Sequence, residues 1–344
     1  MLYQVATAAL SPGDIAIPIR SIFRGRKNIE VIMSEVLSVN KSESFLRLND
    51  RKIYFDYLII APGSSHSYFG NKEWEKVAPG LKSLNDALAI REKILCSFEE
   101  AEIIKNKNDQ EQYLTFVIVG GGPTGVEMAG AIAEIAKQTM LKDFRNINPG
   151  ETRIYLVEAY PRILTGYSEH LSEVAIKDLE KMGVKVLVNT KVTNVSQSGV
   201  SLGNEFIKTK NIIWAACNEA SPLLKSLDVE LDKAGRVLVE NDLSIKGSPD
   251  IFVIGDAANL KDKNGELLPG IAPVAIQQGK YVAKLIGNDS DTSKRKPFEY
   301  FDKGTMATIG KAKAVAKIRK FEFLQFTAWF LCPYIFLNNF SQPV

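Results

Sequence analysis

Short apolar runs closed by turn residues alternate along this chain with longer stretches in which apolar positions return every three or four residues. Residues 29–33 and 36–39 are runs rich in Val and Ile, and residues 54–61 (YFDYLIIA) read as a strand stopped by Pro62-Gly63. Residues 85–104 carry Leu88, Ile90, Ile94, Leu95, Phe98, Ala101 and Ile104, close to helical spacing. The polar stretch 105–112 (KNKNDQEQ) predicts a linker. Beyond it the pattern predicts a strand at 114–119, a glycine turn at 120–125 and a helix from 126 to about 141. A strand at 153–157, a helix at 171–182 and a strand at 184–188 follow. That β-α-β-α-β order predicts an α/β fold with a parallel, doubly wound sheet, because parallel strands need crossover connections. Runs at 212–216 and 251–254 supply two later strands.

The turn after the 114–119 strand reads Gly120-x-Gly122-x-x-Gly125 and opens a helix. The first glycine allows a tight turn, the second lets a pyrophosphate approach the backbone, and the third lets helix and strand pack closely. Free N–H groups and the positive helix end then favour an anion. Such a turn can also be empty, but here it stands between strand and helix, the context that makes it a dinucleotide signature. The signature asks for an acid at the end of the second strand, and Glu158 stands there. It lies farther past Gly125 than the usual ~20 residues, and the polar insert 143–151 accounts for the excess. A carboxylate at this place accepts from ribose hydroxyls and repels a 2′-phosphate, which favours NADH over NADPH. Arg162 nearby would soften that preference unless it is simply solvated.

Composition narrows the chemistry. At 344 residues the chain has room for two domains and an appendage, at roughly 150 residues per domain. Lys+Arg 43 against Asp+Glu 40 gives a net charge of +3, which argues against nucleic acid as a partner. The three cysteines, Cys96, Cys217 and Cys332, have no CxxC spacing, so a redox dithiol, a metal site and a disulfide framework are all disfavoured. The two histidines, His66 and His170, leave little for a catalytic triad. An enzyme of this composition takes its hard chemistry from a cofactor. The opening MLYQVATAAL has no basic region ahead of an apolar stretch, so no secretory signal is read and a cytoplasmic setting is the default.

A second signature lies at 250–258 (DIFVIGDAA), an apolar strand ending in Gly255-Asp256. Ligands of open α/β sheets bind at such strand ends, although Gly-Asp also serves as an ordinary turn. With LYQVATAALSP, HSYFG, GGGPTGVEMAGAIAEIA, VEAYPRIL, LPGIAPVAIQQGKYVAKLI and KGTMATIGKAKAVA, this stretch makes the chain resemble the type II NADH dehydrogenases from Leu2 to about Ala316. These are single-subunit NADH:quinone oxidoreductases with two Rossmann-like domains. The resemblance implies a discontinuous FAD-binding domain (1–113 and 244–305), an NADH-binding domain (114–243) and a membrane-associating segment (306–344). The implied reaction is hydride transfer from NADH to FAD, then passage of two electrons to a membrane quinone.

Carried over residue by residue, Gly120, Gly122, Gly125 and Glu158 would hold NADH. Ala6, Thr7, Ala61, Gly63, Gly255, Asp256 and Ala275 would line FAD, with Pro62 standing where the family usually has Thr. Glu127, in the first helical turn where the dipole favours a carboxylate, would lie by the two reacting rings in a positioning or proton-relay role; a plain surface Glu is the other reading. Gln277, and Lys303 in FDKGTMATIG, would border the quinone, where an amide donates to a carbonyl without bringing a charge. Gln277 as a mere helix-surface residue stays open. Cys217-Asn218 depart from the family's Gly and apolar pair and would crowd the nicotinamide pocket.

Residues 311–320 carry Lys311, Lys313, Lys317, Arg319 and Lys320, and 323–337 are almost wholly apolar, with Trp329 and Tyr334 suited to an interface. Fifteen residues of helix reach only about 22 Å, short of a ~30 Å bilayer core, and Pro333 interrupts them. The pattern therefore predicts a peripheral segment in the headgroup plane of an anionic membrane, on the cytoplasmic face. A buried helix or a homodimer contact is the alternative. The family's opening βαβ for the FAD pyrophosphate has no counterpart ahead of LYQVATAAL, and the chain holds no second GxGxxG. A remnant that binds nucleotide at most, or another two-domain flavoprotein reductase, are the competing expectations.

Overall fold

The computed structural model describes residues 1–288, 291–318 and 320–330. They group into two compact units, one of Met1–Ala16, His66–Cys217 and the described residues from Lys303 on, the other of Ile17–Ser65 and Asn218–Asp302.

In the first unit every residue of the strand Thr115–Val119 is buried. Thr-Phe-Val-Ile-Val is uncharged and mostly β-branched, which suits a strand covered on both faces. It sits inside a parallel four-stranded sheet ordered Asn211–Trp214, Thr115–Val119, Arg153–Val157, Val184–Leu187. Helices Pro123–Glu134 and Glu169–Lys181 lie between successive strands, so the doubly wound order read from the pattern is present. The helix expected at 85–104 runs Leu84–Ile103 and buries Ala87, Ile90, Ile94, Phe98 and Ala101 along one stripe. A capping box starts it: the Asp86 N–H donates to Ser83 Oγ at 3.1 Å and the Ser83 N–H to Asp86 Oδ2 at 2.7 Å.

Several expectations are corrected. The expected linker 105–112 is largely a helix, Lys107–Tyr113, which Gln110 ties back by donating to the Ala101 carbonyl at 3.0 Å. Residues 29–33 pair with no strand among the described residues, and Met33 is 97% exposed. The strand expected at 54–61 is interrupted at Asp56, giving Lys52–Tyr54 and Leu58–Ile60 in different sheets.

The largest correction concerns the segment from 306 on. Thr305–Ile309, Lys313–Ile318 and Phe321–Leu324 form an antiparallel meander, followed by helix Gln325–Phe330. Ala307, Ile309 and Val315 are buried in the same core as the parallel sheet. The helix after the glycine turn meets this meander so closely that a Cβ on Gly130 would stand 2.9 Å from the Gly310 nitrogen. The Lys313 ammonium lies 2.8 Å from the buried Asp178 carboxylate, so this cation is committed to the fold rather than to lipid. Arg319, Cys332, Pro333 and Tyr334 lie outside the described residues. Among the described residues no helix is long and apolar enough to cross a membrane.

The second unit contains a meander of Ser38–Asn40, Phe45–Arg47 and Lys52–Tyr54. It also contains a sheet ordered Ser244–Ile245, Ser248–Val253, Leu58–Ile60, whose last two strands are parallel, and the helix Ala272–Gly287. The unit boundaries differ from the expected 113/114 and 243/244. Residues 66–113 group with the glycine turn because helix Leu84–Ile103 packs against strand Asn211–Trp214 and helix Leu2–Ala6.

Candidate functional site

In the first unit the chain leaves the buried strand through Gly120, whose φ of +110° places it where glycine is favoured. Its N–H donates to the Val157 carbonyl at 2.8 Å. A Cβ on Gly120 would stand 2.7 Å from the Ala215 carbonyl carbon, and one on Gly125 would stand 1.9 Å from the Gly120 oxygen. A Cβ on Gly122 would meet nothing within 4 Å. Packing therefore demands the first and third glycines, while the second fronts open space at the start of the Pro123–Glu134 helix. A bare backbone at a helix N-terminus is what a pyrophosphate requires.

Glu158 follows the Arg153–Val157 strand and reaches across to the turn: the Gly121 N–H donates to its Oε2 at 2.6 Å and the Tyr160 N–H to its Oε1 at 2.8 Å. The carboxylate is thus fixed in place, with lone pairs left for hydroxyl donors. Cys217 is exposed, with φ +38°, and its carbonyl accepts from the Ser67 N–H at 3.1 Å. Neighbouring atoms shield part of the thiol itself, and this partial burial pushes its pKa up, with the Glu158 charge pushing the same way.

Glu127 is half-buried on the helix that begins at Pro123. Its Oε1 lies 3.5 Å from both the N–H and the Oγ1 of Thr308, and Thr308 Oγ1 lies 2.7 Å from the Tyr3 hydroxyl. Burial raises the Glu127 carboxyl to a pKa of about 7, with the Thr308 donors pulling back. The Tyr167 phenol is pushed up by burial and next by the Glu127 charge. Tyr3, Thr308 and Tyr167 were not singled out from the sequence; nothing in their spacing places them beside residue 127.

Ala6, Thr7 and Lys303 also belong to the first unit. Ala6 is buried and Thr7 donates to the Tyr3 carbonyl at 2.8 Å, while Lys303 is exposed just ahead of the Thr305–Ile309 strand.

The second unit holds a cavity of about 370 Å³ lined by Ala61, Gly63, Ile254, Gly255, Asp256, Ala275 and Ile276. It opens where the parallel strands Leu58–Ile60 and Ser248–Val253 end, the ligand position of an open α/β sheet. Gly63 (φ +69°) has nothing within 4 Å of where a Cβ would stand, and a Cβ on Gly255 (φ +68°) would stand 3.4 Å from that of Ala275. The Ser64 hydroxyl donates to Asp256 Oδ2 at 2.6 Å. Gln278, wholly buried, accepts from the Gly255 N–H at 2.6 Å. These contacts fix the Gly255-Asp256 turn at a cavity lined by small and apolar residues, with Asp256 as its charged member. Gln277 engages the backbone of Phe301, donating at 3.0 Å and accepting at 2.9 Å. Ala61, Gly63, Gly255, Asp256 and Ala275 therefore meet at one cavity; Ser64 and Gln278 are supporting residues that the motif reading missed.

The family model of the pyridine nucleotide-disulphide oxidoreductases matches residues 1–279. The type II NADH:quinone oxidoreductase NdhA of Mycobacterium tuberculosis is 43% identical, the match covering 96% of this chain and 73% of that protein. A second enzyme of that organism, the type II NADH:quinone oxidoreductase Ndh, is 40% identical, with 96% and 74% covered. The solved structure of NDH2 from Plasmodium falciparum in complex with NADH superposes with a TM-score of 0.89 at 19% identity, covering 99% of this chain and 87% of that one.

Proposed function

The chain belongs to the type II NADH:quinone oxidoreductases, within the pyridine nucleotide-disulphide oxidoreductase family, and on that premise we propose how its residues divide the work. It is a flavin-dependent, non-electrogenic NADH:quinone oxidoreductase that uses FAD. When bound, FAD supplies the two-electron carrier between NADH and quinone. The observation that carries the assignment of residues is the open space in front of Gly122, beside a carboxylate already oriented by the Gly121 and Tyr160 amides.

Gly120, Gly122 and Gly125 receive the NADH pyrophosphate, and Glu158 accepts from the ribose hydroxyls. Within the second unit, Ala61, Gly63, Gly255, Asp256 and Ala275 hold FAD. The Asp256 carboxylate, held by Ser64, accepts from hydroxyls of the ribityl chain. Glu127 holds or passes a proton at its Oε1. Gln277, its amide oriented by the Phe301 backbone, borders the quinone head group. Because a quinone of this kind dissolves in lipid, the enzyme works at a membrane surface as a peripheral protein. Exposed Phe321 and Phe326, 71% and 61% accessible, support that placement.

The test is spectroscopic. The purified chain incubated with FAD should keep flavin absorbance through gel filtration, bleach on adding NADH and regain colour on adding a short-chain quinone. Absence of bound flavin, or flavin that NADH leaves oxidised, would overturn the assignment.

A further inference from the structure

We propose that Thr308 and Tyr3 are positioning residues for Glu127, a linked pair of hydroxyls that sets where the carboxylate sits and how readily it releases its proton. The inference deepens the reading of Glu127 as a proton-handling group and rests on it. Three separate pieces of the chain meet here: helix Leu2–Ala6, helix Pro123–Glu134 and strand Thr305–Ile309. Tyr3 and Thr308 share a 2.7 Å hydrogen bond, and Thr308 presents both its N–H and its hydroxyl to the same Glu127 oxygen at 3.5 Å. A hydroxyl is donor and acceptor at once, so Tyr3 donating to Thr308 Oγ1 turns the threonine proton toward the carboxylate. The titratable groups that face Glu127 from the packed elements are the Tyr167 phenol and the Tyr3 hydroxyl behind Thr308. Burial opposes the carboxylate and the Thr308 donors favour it.

The arrangement gives the site a protonation state adjusted from outside the phosphate-binding turn. Neither Thr308 nor Tyr3 needs to touch a substrate. Their influence passes through the orientation of one oxygen, and a chain of hydroxyls is a sequence-independent way to do that. The quinone takes up two protons as it is reduced to quinol, so the ease with which Glu127 exchanges its proton bears on turnover as well as on folding.

The experiment is an infrared pH titration of the FAD-loaded full chain, following the carboxylic-acid C=O band that Glu127→Gln abolishes, beside the pH profile of NADH:quinone turnover. Thr308→Val removes the hydroxyl while keeping the N–H, and the carboxyl midpoint should rise by roughly half a unit. Thr308→Ser should restore it, and Tyr3→Phe should give a smaller rise. If Thr308→Val does not fold, Tyr3→Phe against wild type decides. A midpoint unmoved in the folded hydroxyl-deletion variants overturns the proposal. A midpoint that moves while the turnover profile stays put leaves the positioning pair standing and removes Glu127 from the proton chemistry, so the two readings fail separately.

Discussion

Gly125 approaches Gly120 so closely that a Cβ on Gly125 would stand 1.9 Å from the Gly120 carbonyl oxygen. The obstructing atom is backbone of the turn itself, which has no side-chain freedom to yield. Gly125→Ala should therefore lose NADH binding and stability together. Gly122→Ala should fold with an almost unchanged Tm yet weaken NADH at least tenfold, about 1.4 kcal/mol, because its methyl fills the open approach. Thermal melts and NADH fluorescence titrations of both variants check this; equal effects at the two positions would contradict it.

Glu158 is fixed by two amides, and the proposed role of its carboxylate is to prefer NADH. Glu158→Ala should weaken NADH about tenfold and narrow the NADH-over-NADPH ratio by a similar factor, as expected for losing a charge-assisted contact of ~1.5 kcal/mol. Steady-state kcat/KM for both nucleotides is the measurement.

Glu127 has a carboxyl raised by burial to about 7 from the ordinary 4.5. A raised folded pKa means the folded protein binds this proton more tightly than the unfolded chain, so the associated stability is present below about pH 4.5 and is lost as pH rises to about 7. Glu127→Gln removes that dependence. Across this window wild type should lose stability relative to the variant, measured by urea unfolding at several pH values.

Gln278 is buried with its carbonyl on the Gly255 N–H. Gln278→Leu leaves that donor unpaired beside the cavity, which costs about 1–3 kcal/mol and should speed loss of FAD. Gln277→Leu, at a half-buried position, should cost less stability and act through the Phe301 backbone that it grips. Flavin release rates and Tm separate the two.

The parallel sheet and the glycine turn were legible because they rest on local signals: a charge-free run for the central strand, and glycines whose spacing encodes the turn's own geometry. Gly255-Asp256 was legible for the same reason. What escaped was set by distant partners. The alternation in KAVAKI reads as a strand only once Ile309 and Val315 are seen buried with the parallel sheet, so from the sequence alone the cations around it read as a lipid-facing set. Lys313 instead faces Asp178, which is 2% exposed. Thr308 and Tyr3 beside Glu127 likewise depend on contacts across most of the chain, as does Ser64 beside Asp256.

Lys313→Met should accordingly act on folding. Removing the cation leaves the Asp178 carboxylate short of its nearest partner, with Lys181 at 3.9 Å the remaining cation among the described residues. The expected loss is about 1–2 kcal/mol, less than for a fully buried pair because Lys313 is a third exposed and Lys181 remains, read by chemical denaturation. Binding to anionic vesicles should not change with this substitution alone.

The close passage of Gly130 over the Gly310 turn makes these two positions one design unit. A side chain at 130 would push the meander outward and tilt the helix whose amino end presents Gly122, so an engineer who needs to tune dinucleotide affinity without altering any contacting residue has a lever five positions past Gly125. Grafting this meander onto another scaffold would, by the same logic, require carrying its bare spot along.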